Sequence, residues 1–180
     1  MSDPTSATGT HSGVTIGPAV PPADLEAGPV LRAWQKASRS ALGRWFFARA
    51  VCRRAPYFST IRPRFLELAP AVCRVSMRKR RSVENHIRTV HALAMGNLCE
   101  LAAGMVTEVT IPSAMRWLPR GMTIEYLRRA ESDVTATARL TKTQWPGHSE
   151  NIAVPVTVVD VTGTEVVRAV ITMYVSPKRL

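Results

Sequence analysis

HALAMGNLCELAAGMVTEV, residues 91–109, is the stretch that decides the fold. From 91 to 106 the carboxylate of Glu100 is the only formally charged group. A helix written this way is apolar on every side, so other structure must wrap it; a helix with one exposed face shows a polar stripe. A lone carboxylate inside such a wrapping is costly unless it is paired, neutralised or put to chemical use. Asn85, His86 and His91 stand just upstream in ENHIRTVH, residues 84–91. With Glu100 they form the group in which function is expected.

Working outward, the flanks supply the wrapping. Before the helix, Ala71, Cys73, Val75 and Met77 alternate with Val72, Arg74, Ser76 and Arg78, a half-buried strand. After it, IPSAMRWLPRG (111–121) reads as a loop with two prolines. Alternation then returns around 122–127, 134–141, 152–158 and 167–175. Four strands in succession joined by short turns predict an antiparallel meander. The class is therefore α+β: a curved antiparallel sheet of about five strands wrapped around a long central helix. Upstream, residues 29–56 read as a basic amphipathic helical extension. Leu31, Trp34, Leu42 and Trp45 fall on roughly one face, Arg32, Lys36 and Arg39 on another, and Gly43 is a point where the helix can split. Residues 1–28, rich in Ser, Thr, Gly, Pro and Ala, read as a disordered tail. The domain proper is expected over 57–180.

Composition narrows the chemistry. The 180 residues carry 24 Lys and Arg against 13 Asp and Glu, a formal charge of +11, which favours anionic partners. Three cysteines without a CxxC spacing predict free thiols, and the cytoplasm is the expected location. The apolar run around 92–106 is too short and too interrupted to span a bilayer. No glycine-rich phosphate loop occurs, and the basic residues lack interleaved stacking aromatics, so nucleic acid is not an expected partner. His86 and His91 without a third ligand make a poor metal site, and no metal or other cofactor is expected. The helix 29–54, basic and bearing Trp and Phe, is a candidate peripheral membrane contact, set against the plainer reading in which its aromatic side packs on the domain.

The segment ENHIRTVHALAMGNLCELAAG resembles the active-site stretch of hotdog-fold acyl-CoA thioesterases of the phenylacetic-acid type, and most of all a branch carrying an NHIGTVHA-like motif. In that family an Asn precedes a His by six residues and an acid follows the His by nine; Asn85, His91 and Glu100 stand at those intervals. The resemblance covers about 57–176. It implies a hotdog fold, hydrolysis of acyl-CoA thioesters, and composite sites between two chains. Ala92 and Leu93 replace the usual glycines after the His, though Ala92 keeps a backbone N–H that can serve an oxyanion. Arg88 stands where the related branch has Gly, and the acid is Glu rather than Asp.

Helix geometry adds a constraint. Nine helical residues rise by about 13 Å, so His91 and Glu100 of one chain cannot reach the same atom. Two chains related by a two-fold axis can supply both. The expected unit is a homodimer or a dimer of dimers, its helices packed through Ala94, Ala102, Ala103 and Gly104. Glu100 would activate water or attack, Asn85 would orient the loop or the water, His91 would hold the thioester or fix the turn, and Asn97 could position water. Arg116, Arg120, Arg128 and Arg129 are candidates for the CoA phosphates. Two alternatives remain open. A hydroxyacyl-thioester dehydratase or enoyl hydratase would use His86 with Glu100 fourteen residues later. A non-catalytic protein would bind acyl thioesters or lipid.

Overall fold

The computed structural model describes residues 27–142, 144–145 and 147–178. Apart from Ala27 and Gly28, the expected tail lies outside the described residues. Those two belong to the extension: Gly28 caps the first helix and Ala27 packs against the core.

The central helix, α3, runs from Ala92 to Thr110. His91 caps it, its ring Nδ1 accepting from Leu93 N–H at 3.1 Å, which satisfies one of the free donors of the first turn. Ala, Leu and Met favour the helical interior, and Ile111–Pro112 ends it, since Pro cannot continue a helix. Burial covers nearly the whole circumference. The buried hydroxyls of Thr107 and Thr110 donate back to the carbonyls of Ala103 and Val106, so they add no orphaned polar group.

The wrapping is a six-stranded antiparallel sheet in the order β1-β2-β4-β5-β6-β3. Its strands are β1 (Arg64–Ala69), β2 (Val72–Met77), β3 (Met115–Tyr126), β4 (Val134–Arg139), β5 (Glu150–Asp160) and β6 (Glu165–Pro177). The hotdog arrangement expected from the all-apolar helix is the one observed. Three details differ. The sheet has one strand more than the alternation shows, because a register shift between Phe65 and Glu67 turns Phe65 and Leu68 inward, three apart, and breaks the period of two in β1. Ala71 leaves its expected strand for the β1–β2 turn at φ 69° and gives its N–H to Thr110 Oγ1 at 2.9 Å.

The third difference concerns β3. It begins at Met115, inside the expected loop, and pairs with β6 instead of β4. Only β4, β5 and β6 form a meander. Pro119 is tolerated because β3 is an edge strand and its register shifts between Pro119 and Gly121. In the sheet interior, Pro155 of β5 stands just where the β4 pairing stops at Val156.

The extension forms two helices, α1 (Pro29–Ala37) and α2 (Ala41–Arg54), followed by a short 3-10 turn, Pro56–Thr60. The break falls at 38–40, with Ser40 capping α2. Gly43 marks it from the other side: a Cβ there would sit 2.2 Å from the Ala37 carbonyl oxygen. Trp34, Phe47 and Phe65 join the arm to β1, with Phe47 centred 5.2 Å from Trp34 and 5.1 Å from Phe65, both edge-on. Such pairs add about 0.5–1.5 kcal/mol each beyond area burial. The single face expected for Leu31, Trp34, Leu42 and Trp45 does not form. The break turns Leu31 and Trp34 inward and leaves Leu42 and Trp45 exposed.

Candidate active site

The loop before α3 is built around Asn85. Its Oδ1 accepts from the N–H groups of Ile87 (3.1 Å) and Thr89 (3.0 Å), and its Nδ2 donates to Thr89 Oγ1 (2.8 Å). Both acceptor sites of the amide are therefore engaged inside the loop, and Asn85 is a shaping residue here. The loop passes through Arg88 at φ 62°, in the left-handed region. That conformation gives the physical reason a Gly suits this position: a side chain there costs about 1 kcal/mol. His86, at the exposed tip, makes no side-chain bond among the described residues.

His91 closes the loop, its N–H donating to the Val83 carbonyl at 2.8 Å. Because Nδ1 accepts from Leu93, the neutral ring carries its proton on Nε2. The imidazole lines a cavity of about 180 Å³ with Tyr57, Thr60, Ser82, Glu84 and Asn97. Asn97 is 8% exposed; its Nδ2 donates to Thr60 Oγ1 at 3.2 Å, while its Oδ1 is buried without a partner among the described residues. Ala92, first in the helix, has an N–H with no acceptor within the helix. Its carbonyl accepts from the Tyr126 hydroxyl at 3.2 Å, which ties the end of β3 to the first helical turn. Burial, and then the Cys99 thiol beside it, pushes the Tyr126 phenol up from its ordinary value.

Glu100 lies elsewhere. It is half-buried and lines a second cavity of about 230 Å³ with Pro119, Gly121, Met122 and Ile171, against the inner side of the edge strand. No ion pair among the described residues involves it. Within one chain, then, His91 and Asn97 share a cavity and Glu100 does not. The carboxylate that does share it is Glu84, 3.9 Å from Lys79 Nζ. Sequence reasoning passed over Glu84, although it is the residue next to Asn85. Tyr57, Thr60 and Ser82 were also missed, because they reach the cavity only through tertiary packing.

The expected packing of helix on helix needs correction. Ala102 and Ala103 are buried within their own chain, and the Trp117 ring covers Gly104, where a Cβ would lie 2.7 Å from it. Helices cannot pair through Ala102, Ala103 or Gly104, because the chain's own sheet already covers them, while Ala94, partly buried, lines the His91 cavity. The four arginines also divide. Arg116 and Arg120 extend from β3 to Ser176 Oγ (3.2 Å) and Asn151 Oδ1 (3.4 Å), and Arg120 lies over the Tyr174 ring. Alternation puts these partners on the outer face of the sheet, opposite Ile171 and the Glu100 cavity. Arg128 and Arg129 are exposed and precede Ala130, whose carbonyl accepts from Val90 N–H at 2.8 Å, so they adjoin the Asn85–His91 loop. All three cysteines are free. Among the described residues no cluster of metal-ligating side chains forms, and no helix is long and apolar enough to cross a membrane.

This architecture, a long buried helix wrapped by an antiparallel sheet, is the hotdog fold. The chain belongs to the family defined by the domain of unknown function DUF4442, which it matches over residues 43–175. It is similar to the crystal structure of the genomics protein APC5556, at 42% identity and a TM-score of 0.72, covering 83% of this chain and 98% of that one. A Pseudomonas aeruginosa protein of unknown function, named a probable thioesterase, is 21% identical with a TM-score of 0.66, over 73% of this chain and 94% of that one. A thioesterase from Haemophilus influenzae is 11% identical with a TM-score of 0.59, over 67% and 82%. Among curated proteins none matches the chain significantly.

Proposed function

We propose that this protein hydrolyses acyl-CoA thioesters at sites shared between two copies of the chain. The observation that carries the reading is the division of the candidate residues along α3. The His91 cap and the open N–H of Ala92 stand at one end, and the half-buried Glu100, without an ion-pair partner among the described residues, stands over two turns away in another cavity. Thioesterases with the same fold lend the reading support. The edge strand β3 exposes Leu118, Met122 and Tyr126 and carries unpaired backbone groups, which suits pairing with a second copy into a longer sheet.

In this mechanism the thioester carbonyl oxygen lies at the first turn of α3. The Ala92 N–H and the positive helix end stabilise its developing negative charge. Glu100 of the partner chain takes a proton from water as the water oxygen adds to the carbonyl carbon. The intermediate collapses, the carbon–sulfur bond breaks, and the proton passes to the CoA sulfur, leaving free thiol and carboxylic acid. Asn85 holds the loop, His91 holds the helix start and offers its Nε2–H, and Asn97 Oδ1 accepts from water or substrate. Arg128 and Arg129 are the cations beside that loop for the CoA phosphates. Thiol release from short, aromatic and long acyl-CoAs tests the proposal. Glu100→Gln is expected to cost about 10²–10⁴-fold in turnover; wild-type turnover no higher than that variant's would sink the proposal. One observation favours a second arrangement, hydrolysis within one chain, because Glu84 shares the His91 cavity.

A further inference from the structure

We propose that the outward face of α2 docks on an anionic lipid bilayer, an inference that stands apart from thioester hydrolysis. Leu42, Trp45 and Phe46 are 65%, 53% and 57% exposed. Three and four residues apart, they form one turn of a single helix face. The opposite face is already satisfied, with Phe47 and Ala48 buried against the domain. The helix is thus apolar on two sides, and among the described residues only one has a partner. Isolated exposed apolar residues are ordinary; three large ones side by side on a short helix mark a contact surface.

Charge identifies the occupant. Between residues 27 and 66 the chain carries nine Lys and Arg and no Asp or Glu. Two of them, Arg49 and Arg53, lie on the same face as the aromatic residues, one and two turns on. Trp and Phe entering the headgroup–acyl boundary, with Arg side chains reaching back to lipid phosphates, make an interfacial contact of aromatic anchors and snorkelling cations. Single-stranded nucleic acid fits less well, since base stacking needs open ring faces. The Arg49 guanidinium lies 5.4 Å from the Trp45 ring centre, and Phe46 meets that ring edge-on at 4.8 Å. Docking there also bears on the first cavity. Only Ala55 separates α2 from the turn that supplies exposed Tyr57 and Thr60 to it, so its entrance would be held beside the bilayer.

Co-sedimentation of the full chain with vesicles tests the idea. Vesicles of phosphatidylcholine alone are compared with vesicles containing about 30% phosphatidylglycerol, in low and high salt. Partitioning onto the anionic vesicles should exceed that onto neutral ones by about tenfold or more, and should fall in high salt. Trp45→Ala/Phe46→Ala and Arg49→Glu/Arg53→Glu should each lower it about tenfold, with unchanged circular dichroism and unchanged thiol release from a short, soluble acyl-CoA. Equal binding to both vesicles, or binding to neither, overturns the proposal. So does binding undiminished in the aromatic double variant. A fall in oligomeric mass in that variant would assign the face to a second copy, and displacement from vesicles by RNA would assign it to nucleic acid; either overturns the lipid reading.

Discussion

Mixing two inactive variants gives the sharpest test of how the site is assembled. Glu100→Gln removes the carboxylate and keeps its shape, whereas His91→Ala removes the imidazole at the other end of the interval. Asn85 is left intact because its side chain makes three hydrogen bonds that hold the loop, and its loss would confound folding with catalysis. The two positions are separated by about 13 Å of helical rise, and they line different cavities. If each site takes His91 from one chain and Glu100 from the other, a heterodimer has one intact site and one doubly altered site. Random exchange at equal concentrations makes about half the dimers mixed, so specific activity should return to roughly a quarter of wild type. His91→Ala alone should also cost about 1 kcal/mol of stability, because the α3 cap is lost. Thiol release is measured before and after exchange, with mixed dimers verified by differently tagged chains. No recovery despite proven exchange would refute the shared site and turn attention to Glu84, the carboxylate already in the His91 cavity.

Four other outcomes follow from local geometry. Arg88→Val should be less stable than Arg88→Gly by about 1–2 kcal/mol, read as a difference in melting temperature, because a β-branched residue fits poorly at φ 62°. Gly43→Ala should cost about 1–3 kcal/mol, since its Cβ would sit 2.2 Å from the Ala37 carbonyl oxygen and force the two arm helices apart; a melting temperature equal to wild type would contradict this. Ellman's reagent should react with the native protein at no more than the half-buried Cys52. Burial pushes the Cys99 thiol up to about 12 and the Cys73 thiol higher still, and both should react only on unfolding. In the β5–β6 turn, hydrogen bonds from the Thr162 hydroxyl and neighbouring backbone N–H groups hold the Asp160 carboxyl below its ordinary value. Its folded pKa is depressed, so its contribution is present at neutral pH and fades as pH falls through the lowered value. Asp160→Asn should therefore flatten that part of an acid titration of stability.

Much of the candidate site is local in the chain, and so it could be read from spacing. The residues 85–100 form one loop and the start of one helix, so their order along the chain is nearly their order in space. Glu84 escaped notice because its neighbours in the cavity, Tyr57 and Thr60, come from a turn about 25 residues away, and only packing brings them together. The arginines could be named but not sorted. Strand alternation sends Arg116 and Arg120 to the outer face, while the hydrogen bond from Val90 to Ala130 keeps Arg128 and Arg129 beside the loop.

The sequence by itself determined the central helix and most of the sheet. Nineteen residues with almost no charge can only be stable when wrapped, and period-two alternation marks strands whatever their neighbours. Tertiary structure alone decided the rest. Strand order depends on which edges meet after the chain collapses, so β3 could join β6 across the sheet from its neighbour in sequence. The bulge in β1 hid a strand, because inserting one residue shifts every later side chain to the other face. Which aromatic residues of the arm are buried depended on a three-residue break between α1 and α2. Helical periodicity predicts a face only while the helix continues, and past the break the same letters, Leu42 and Trp45, point to solvent.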